Sequence, residues 1–157
     1  MSERLVVNTG PLIALESAGI LDVLGRLPFE VVCPQEVVDE LAAGPRQGPL
    51  PDWLHVLPLA APLDRVALAS LDRGEAAVIQ LAGEQGISLV CIDERKGRMV
   101  AEAVGLRVTG TLGILIGAKR LGLLGALRPI IERMVAAGAW YDAELVRRVL
   151  ASVGEEI

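Results

Sequence analysis

The sequence has few of the residues that nucleophilic catalysis and thiolate metal binding usually require. Its 157 residues include one histidine, His55, and two cysteines, Cys33 and Cys91. No motif such as G-x-S-x-G accompanies His55, so a Ser-His-Asp hydrolase is not indicated. Each cysteine lies in an apolar, strand-like run without a second cysteine or histidine at metal-ligand spacing, which is typical of free buried thiols in a reducing compartment. A P-loop and a G-x-G-x-x-G motif are also missing.

Aromatic residues and uninterrupted apolar runs are scarce as well. The four aromatic residues, Phe29, Trp53, Trp140 and Tyr141, are too few for a base-stacking platform. A net charge of −5 argues against a broad electrostatic grip on nucleic acid, but it allows a local basic rim. No uncharged apolar stretch reaches the roughly 18 residues that span a bilayer, and the amino terminus has no signal-peptide layout. We therefore expect a cytoplasmic protein that has no membrane partner.

What the sequence does contain is a large apolar fraction in alternating patterns. With 52% hydrophobic residues and a mean hydropathy of +0.49, the chain suits one compact domain over residues 1–157. Short apolar strands alternate with helical stretches, which predicts an α/β fold: three α/β/α layers around a central, mainly parallel sheet. The predicted strands are Leu5–Val7, Glu30–Cys33, Trp53–Leu57, Ser88–Ile92 and Leu106–Thr109.

The sequence makes four local predictions. One continuous helix should run from Pro11 to Leu24, and a helical stretch should run from Pro62 to Leu71. Thr111 should cap the helix that follows it, through Leu121. The tail 154–156 is expected to be frayed.

Polar residues follow several of the predicted strands or open the helices behind them. The apolar run 87–92 ends abruptly at Asp93, and the first strand ends at Asn8. Glu40 and Glu75 lie on the helices after the second and third strands. In open α/β sheets, ligands bind at the carboxyl edge, so these four side chains are the candidates for a site.

Each candidate also has a purely structural explanation. Asn8 and Asp93 are good helix caps, and Glu40 suits a solvated helix face. Asp72 and Glu75 have the spacing of a capping box. However, carboxylates about 5 Å apart repel by roughly 3 kcal/mol at an effective dielectric constant near 20. If they gather, a hard divalent cation such as Mg²⁺ or Mn²⁺ is needed to neutralise them.

Several segments together resemble a protein family. Residues 6–15 and 34–41 look like the opening motifs of PIN-domain nucleases. Residues 74–76, 92–98 and 110–115 resemble a prokaryotic PIN-like subgroup of nucleic-acid-binding proteins, which is related to VapC-type toxin ribonucleases. The resemblance covers nearly the whole chain, with the motifs in the same order.

The resemblance implies metal-dependent endoribonuclease chemistry on RNA. The acids carried over from the family are Glu40, Glu75 and Asp93, and Asn8 stands where the family usually has an aspartate. These four side chains would hold Mg²⁺ or Mn²⁺ and form the catalytic site. An antitoxin protein and a second copy of the chain are the partners to expect besides RNA.

Five further side chains are candidates for substrate binding. They are Arg95, Lys96, Arg98, Thr9 and Thr111. The three cations directly follow Asp93 and suit the phosphate backbone, although a solvated helix face explains them equally well. The two threonines could point hydroxyls into the site or act as caps.

Two other functions remain open at this stage. The replacement at Asn8 and the acidic pI favour a degenerate PIN-like module that binds nucleic acid or a protein without cutting. A metal-dependent phosphatase is the third alternative, although its nucleophilic aspartate would usually lie near the first strand, where this chain has Asn8.

Overall fold

The computed structural model describes residues 3–46 and 48–155. Its strands are β1 (Glu3–Val7), β2 (Phe29–Pro34), β3 (Leu54–Leu57), β4 (Leu89–Cys91) and β5 (Arg107–Thr109). Its helices are α1 (Thr9–Ser17), α2 (Asp22–Arg26), α3 (Gln35–Ala43), α4 (Arg65–Leu68), α5 (Arg73–Gln85), α6 (Arg95–Ala103), α7 (Thr111–Arg120), α8 (Arg128–Ala136) and α9 (Ala143–Ser152).

The five strands form one parallel sheet in the order β3-β2-β1-β4-β5. The central strands are apolar along most of their length, because both faces of a parallel sheet are covered. Val6, Val32 and Val90 lie side by side across β1, β2 and β4, and none has any exposed surface. The predicted parallel sheet is therefore confirmed.

Helices pack on both faces of this sheet and complete the three layers. On one face, α1 packs against α7 and α8, and α2 packs against β2 and α7. On the other face, α5 crosses β1, β2 and β4 and packs against α4 and α6. Right-handed crossovers explain this division, because the chain moves in one direction from β1 through β2 to β3 and in the opposite direction from β3 to β4 and β5. The three-layer α/β/α architecture is confirmed.

Two predicted helices were wrong in extent. The helix expected over residues 11–24 is divided into α1 and α2, because Gly19 adopts φ +74° and turns the chain. The stretch expected over residues 62–71 is helical only in α4. Its preceding residues bind α5 instead: the amides of Ala60 and Asp64 donate to Glu84 and Gln80, at 2.7 Å and 3.1 Å.

The carboxyl-terminal tail was also predicted wrongly at Glu155, which is held in place. One of its carboxylate oxygens accepts from Lys119 Nζ and from the amide of Leu127, both at 2.7 Å. The other accepts from the amide of Arg128 at 3.1 Å. The carboxylate thus lies at the amino end of α8, where the helix dipole favours an anion. Glu156, in the same predicted tail, lies outside the described residues.

The sheet topology determines where a site can form. The strand order reverses between β1 and β4, and the carboxyl ends of these two strands lie side by side. This is the switch point at which open α/β sheets bind ligands. Within the two described ranges, no helix is long and apolar enough to cross a membrane.

Candidate metal and nucleic-acid site

Asn8 leaves the carboxyl end of β1 at this switch point. Its backbone N–H donates to the carbonyl of Cys91, at 3.0 Å, which continues the pairing of β1 with β4. Asn8 occupies the N-cap position of α1, but its side chain makes no capping hydrogen bond. Its Oδ1 is buried without a hydrogen-bond partner. The capping explanation therefore accounts for the position of Asn8 but not for its side chain.

Glu40 is brought to Asn8 by the packing of α3 against α1 and α5. The hydroxyl of Thr9 donates to Glu40 Oε1 at 3.2 Å. Gly74, in the first turn of α5, faces both side chains: a Cβ added there would overlap Glu40 Oε1 and lie 3.2 Å from Asn8 Oδ1. Because Gly74 has no side chain, the oxygens of Asn8 and Glu40 can lie in the space that a Cβ would fill.

Glu75 has both of the roles that its sequence suggested. It forms the predicted capping box with Asp72: Asp72 Oδ1 accepts from the Glu75 amide at 2.8 Å, and Glu75 Oε1 accepts from the Asp72 amide at 3.2 Å. The second oxygen, Oε2, is buried without a partner. A Cβ added at Gly97 of α6 would lie 3.0 Å from it. The capping box thus uses one carboxylate oxygen and leaves the other free.

Asp93 follows β4 and is held by Thr111, the first residue of α7. The Thr111 amide donates to Oδ1 at 2.7 Å, and the Thr111 hydroxyl donates to Oδ2 at 2.6 Å. The expected capping role of Thr111 was wrong, since Gly110 is the N-cap of α7 and Thr111 is fully buried. Asp93 does not cap the following helix either, because the N-cap of α6 is Glu94. Instead, Asp93 binds the first amide of α7.

The three candidate cations differ in their surroundings. Arg98 is half-buried, and its Nη1 donates to the carbonyl of Ile92 at 2.9 Å. A Cβ added at Gly110 would lie 2.8 Å from that nitrogen and 2.7 Å from Asp93 Oδ1, so the guanidinium is close to Asp93. Arg95 and Lys96 are exposed at the start of α6.

The environment opposes negative charge on two of the acids. Burial raises the pKa of Glu40, the charge of Asp72 raises it further, and the Thr9 hydroxyl partly offsets this. Burial also raises the pKa of Glu75; the hydrogen bond from the Asp72 backbone amide partly offsets this, and the nearby charges of Asp72 and Glu94 add to the increase. A cation bound beside them would stabilise the ionised forms.

The oxygens of the predicted ligands can be compared with the ligands that a hard divalent cation takes. Among the described residues, no group of three or more His, Cys, Asp and Glu side chains is arranged to hold a metal ion. Only three buried side-chain atoms in those residues have no partner: Asn8 Oδ1, Glu75 Oε2 and Glu36 Oε1. Two of the three belong to the predicted metal ligands, and carboxylate and amide oxygens are the ligands that Mg²⁺ takes. The donor chemistry fits such an ion, and each oxygen of Asp93, which accepts one hydrogen bond from Thr111, keeps a second lone pair.

Tyr141 and Asp72 belong to the same region and were missed as site residues. Tyr141 precedes α9 and is half-buried beside Thr111 and Asp93. Burial raises the pKa of Tyr141 to about 12, and the charge of Asp93 adds to the increase. The sequence offered only a weak signal for Tyr141, an aromatic pair between two helices. For Asp72, the signal was the capping-box spacing.

Comparison with known proteins identifies the family. A family model described as a PIN domain matches residues 4–155. No curated protein and no solved structure matches the chain significantly. PIN domains have a nuclease-type fold, generally use divalent metals, and are associated with nucleic-acid binding. The match spans nearly the whole chain and agrees with the parallel sheet and its carboxyl-edge site, so this protein belongs to the PIN-domain family.

Proposed function

We propose that this chain is a divalent-metal-dependent endoribonuclease that hydrolyses RNA phosphodiester bonds. The observation that carries the proposal is the pair of buried oxygens without partners, Asn8 Oδ1 and Glu75 Oε2, at the carboxyl edge of a PIN-domain sheet. A buried polar oxygen without a partner costs about 1–3 kcal/mol, and a bound cation would remove that cost.

Four residues would hold the ion, Mg²⁺ or Mn²⁺: Asn8, Glu40, Glu75 and Asp93. When bound, such an ion supplies Lewis-acid chemistry for phosphodiester hydrolysis. Thr111 holds Asp93 in one orientation through its two hydrogen bonds. Thr9 does the same for Glu40 through one hydrogen bond. The threonines thus act through the acids, and Thr111 is too buried to touch a substrate.

The cations of α6 bind the RNA backbone in this proposal. Arg95 is exposed, and Arg98 lies beside Asp93. Both line the same groove as Asp93, which places positive charge next to the proposed ligands. Phosphate contacts of this kind position a nucleic acid without reading its sequence. Lys96, exposed on the same helical turn, would steer the backbone from outside the groove.

The biological setting is part of the proposal. An endoribonuclease of this family would act in the cytoplasm as the toxin half of a toxin–antitoxin pair, with an antitoxin protein as its partner and a homodimer as its assembly. The two free, buried cysteines support a reducing compartment.

Cleavage of a mixed single-stranded RNA tests the proposal. The purified wild type, Asn8→Asp and Asp93→Asn would each be assayed with Mn²⁺, Mg²⁺ or EDTA. We expect cleavage by the wild type with either metal, none with EDTA, and none by Asp93→Asn. Absence of cleavage by every variant would overturn the proposal.

A second candidate function is a PIN-like module that binds nucleic acid or a protein but does not cut. Asn8 favours it, because an amide carries no charge and holds a cation less strongly than the aspartate usual in the family. Cleavage that occurs only after Asn8→Asp would contradict the nuclease proposal for this chain and support the second function, since the rest of the site would then be intact.

A further inference from the structure

A groove of about 1000 Å³ opens beside Asp93, which lines it. Residues of α6 form one wall, including Arg98, Met99 and Glu102, and the segment between α8 and α9 forms the other, including Trp140 and Tyr141. Residues of α1 also line it. The groove therefore extends the candidate site into a surface that the proposed chemistry leaves unexplained.

Trp140 is the exposed aromatic residue of the chain. Its exposed fraction is 82%, whereas Phe29, Trp53 and Tyr141 are all half-buried. On the opposite wall, Met99 is 59% exposed. A large indole left in water contributes little to folding, and an exposed apolar patch beside a functional site indicates a ligand.

The backbone that presents Trp140 is well held. The amides of Gly138 and Ala139 donate to the last turn of α8, both at 3.0 Å. Asp142 caps α9, accepting from the amide of Leu145 at 3.1 Å. Between these anchors, the Tyr141 hydroxyl lies 3.9 Å from Met134 Sδ. The indole is thus displayed by an ordered segment, which lowers the entropic cost of binding.

Charge is divided along the groove. Arg95 and Arg98 lie at the first end, together with the carboxylates of Asp93 and Glu94. At the second end, Glu102 lies one helical turn beyond Arg98 and Asp142 follows Tyr141. A phosphate group can bind the two guanidiniums at the first end, whereas no cation among the described residues lines the second end, so a phosphate is disfavoured there. A neutral, flat group is favoured between Trp140 and Met99. A nucleotide has both parts, a charged phosphate and a neutral aromatic base.

We propose that this groove is a subsite for single-stranded RNA, in which one base stacks on the indole of Trp140 while Arg95 and Arg98 bind a neighbouring phosphate. The inference rests on the proposed function for its substrate class. Four aromatic residues are too few for a stacking platform, but one ring suffices for one base. Because every base has a π face, this contact adds affinity without strong sequence preference.

Binding of RNA, rather than its cleavage, tests this subsite. The probe is a fluorescently labelled single-stranded RNA titrated with full-length protein in EDTA, and again with Mn²⁺ on an Asp93→Asn background. We expect Trp140→Ala to weaken binding about 5- to 150-fold, the usual contribution of one stacked base. Trp140→Phe should retain most of the affinity. Val66→Ala is the matched control, because Val66 is 80% exposed but does not line the groove.

RNA lacking bases separates stacking from every other effect of the substitution. An abasic RNA should bind the wild type about as weakly as intact RNA binds Trp140→Ala. It should bind Trp140→Ala no more weakly than it binds the wild type. The proposal would be overturned if Trp140→Ala weakened the binding of intact and abasic RNA equally. It would also be overturned if Trp140→Ala bound RNA as tightly as the wild type, or if the wild type bound no RNA.

Two comparisons separate this subsite from the proposed function and from a protein interface. Trp140-dependent binding without cleavage supports the subsite and contradicts the nuclease. If the protein cleaves RNA and Trp140→Ala changes neither the cleavage rate nor the affinity for RNA, the nuclease is supported and the subsite is overturned. If Trp140→Ala changes only the mass measured by light scattering, the groove is an interface between protein chains, and the RNA subsite is wrong.

Discussion

Thr111 binds both carboxylate oxygens of Asp93, through its amide at 2.7 Å and its hydroxyl at 2.6 Å. The contact joins two segments 18 residues apart, at the ends of β4 and β5. It fixes the orientation of the acid that ends the most apolar strand of the site. It also supplies an anion to the amino end of α7, where the helix dipole favours one.

Thr111→Val tests the importance of this contact. The substitution keeps the shape but removes the hydroxyl, so we expect a loss of about 1.5–3 kcal/mol in the free energy of unfolding, the usual value for a hydrogen bond to a charged group. RNA cleavage should fall about 10- to 100-fold, because Asp93 loses its orientation. Urea denaturation and the RNA assay measure the two effects. Thr111→Ser keeps the hydroxyl and should resemble the wild type; a Thr111→Val protein with unchanged activity would contradict the positioning role.

Glu75→Gln tests the buried oxygen without a partner. Glutamine can replace glutamate in the capping box, but it carries no charge to bury. We expect the metal-free variant to unfold at a higher temperature than the wild type, with a gain of about 1 kcal/mol. Adding Mn²⁺ should stabilise the wild type and have little effect on the variant.

Thermal denaturation with EDTA and with Mn²⁺ measures both effects of Glu75→Gln. Glu132→Gln, at an exposed position on α8, is the control for the change of charge alone. A metal-free variant less stable than the wild type would show that the second oxygen of Glu75 is satisfied in solution.

Glu155 should make stability depend on pH in the acid range. Its pKa is lowered from 4.5 to about 2, although burial opposes the change, by hydrogen bonds from Leu127, Lys119 and Arg128 and by the charge of Lys119. Because the pKa is lowered on folding, the stabilisation is complete above pH 4.5 and is lost as the pH falls towards 2. Glu155→Gln should cost about 1–2 kcal/mol at pH 7 and progressively less below pH 4.5.

Urea denaturation of wild type and variant over that pH range measures the effect of Glu155→Gln. The control is Glu144→Gln, which removes a carboxylate that is 56% exposed and paired with Arg147. That substitution should have little effect at any pH. A difference between wild type and Glu155→Gln that stays constant from pH 7 to pH 2 would show that the charge of Glu155 is not what stabilises the tail.

Gly25→Ala tests the packing of α2 against the segment before β3. A Cβ at this position would overlap the indole ring of Trp53, so we expect a loss of about 1–3 kcal/mol. Gly83→Ala on α5 meets nothing within 4 Å and should instead stabilise the protein by about 0.5–1 kcal/mol. On a Trp53→Ala background, Gly25→Ala should no longer be destabilising; a loss that persists there would contradict the clash.

Local patterns in the sequence predicted the elements that depend on neighbouring residues. The apolar run before Asp93 indicated β4, and the Asp72–Glu75 spacing indicated the capping box that the structure contains. Where distant residues compete, the same patterns failed. The stretch before α4 binds Glu84 and Gln80 of α5 instead of continuing a helix, and no local spacing contains that information.

By itself, the sequence determined the class of the fold and the kind of side chains at its carboxyl edge. Apolar strands that alternate with helices predict a parallel sheet, and a parallel sheet brings the residues after its strands to one edge. Only the tertiary structure decided what those side chains bind. Thr111 donates a hydrogen bond to Asp93, Glu155 accepts one at the amino end of α8, and Trp140 lines the groove beside Asp93. Local sequence patterns do not contain these contacts, because each joins segments that are far apart in the chain.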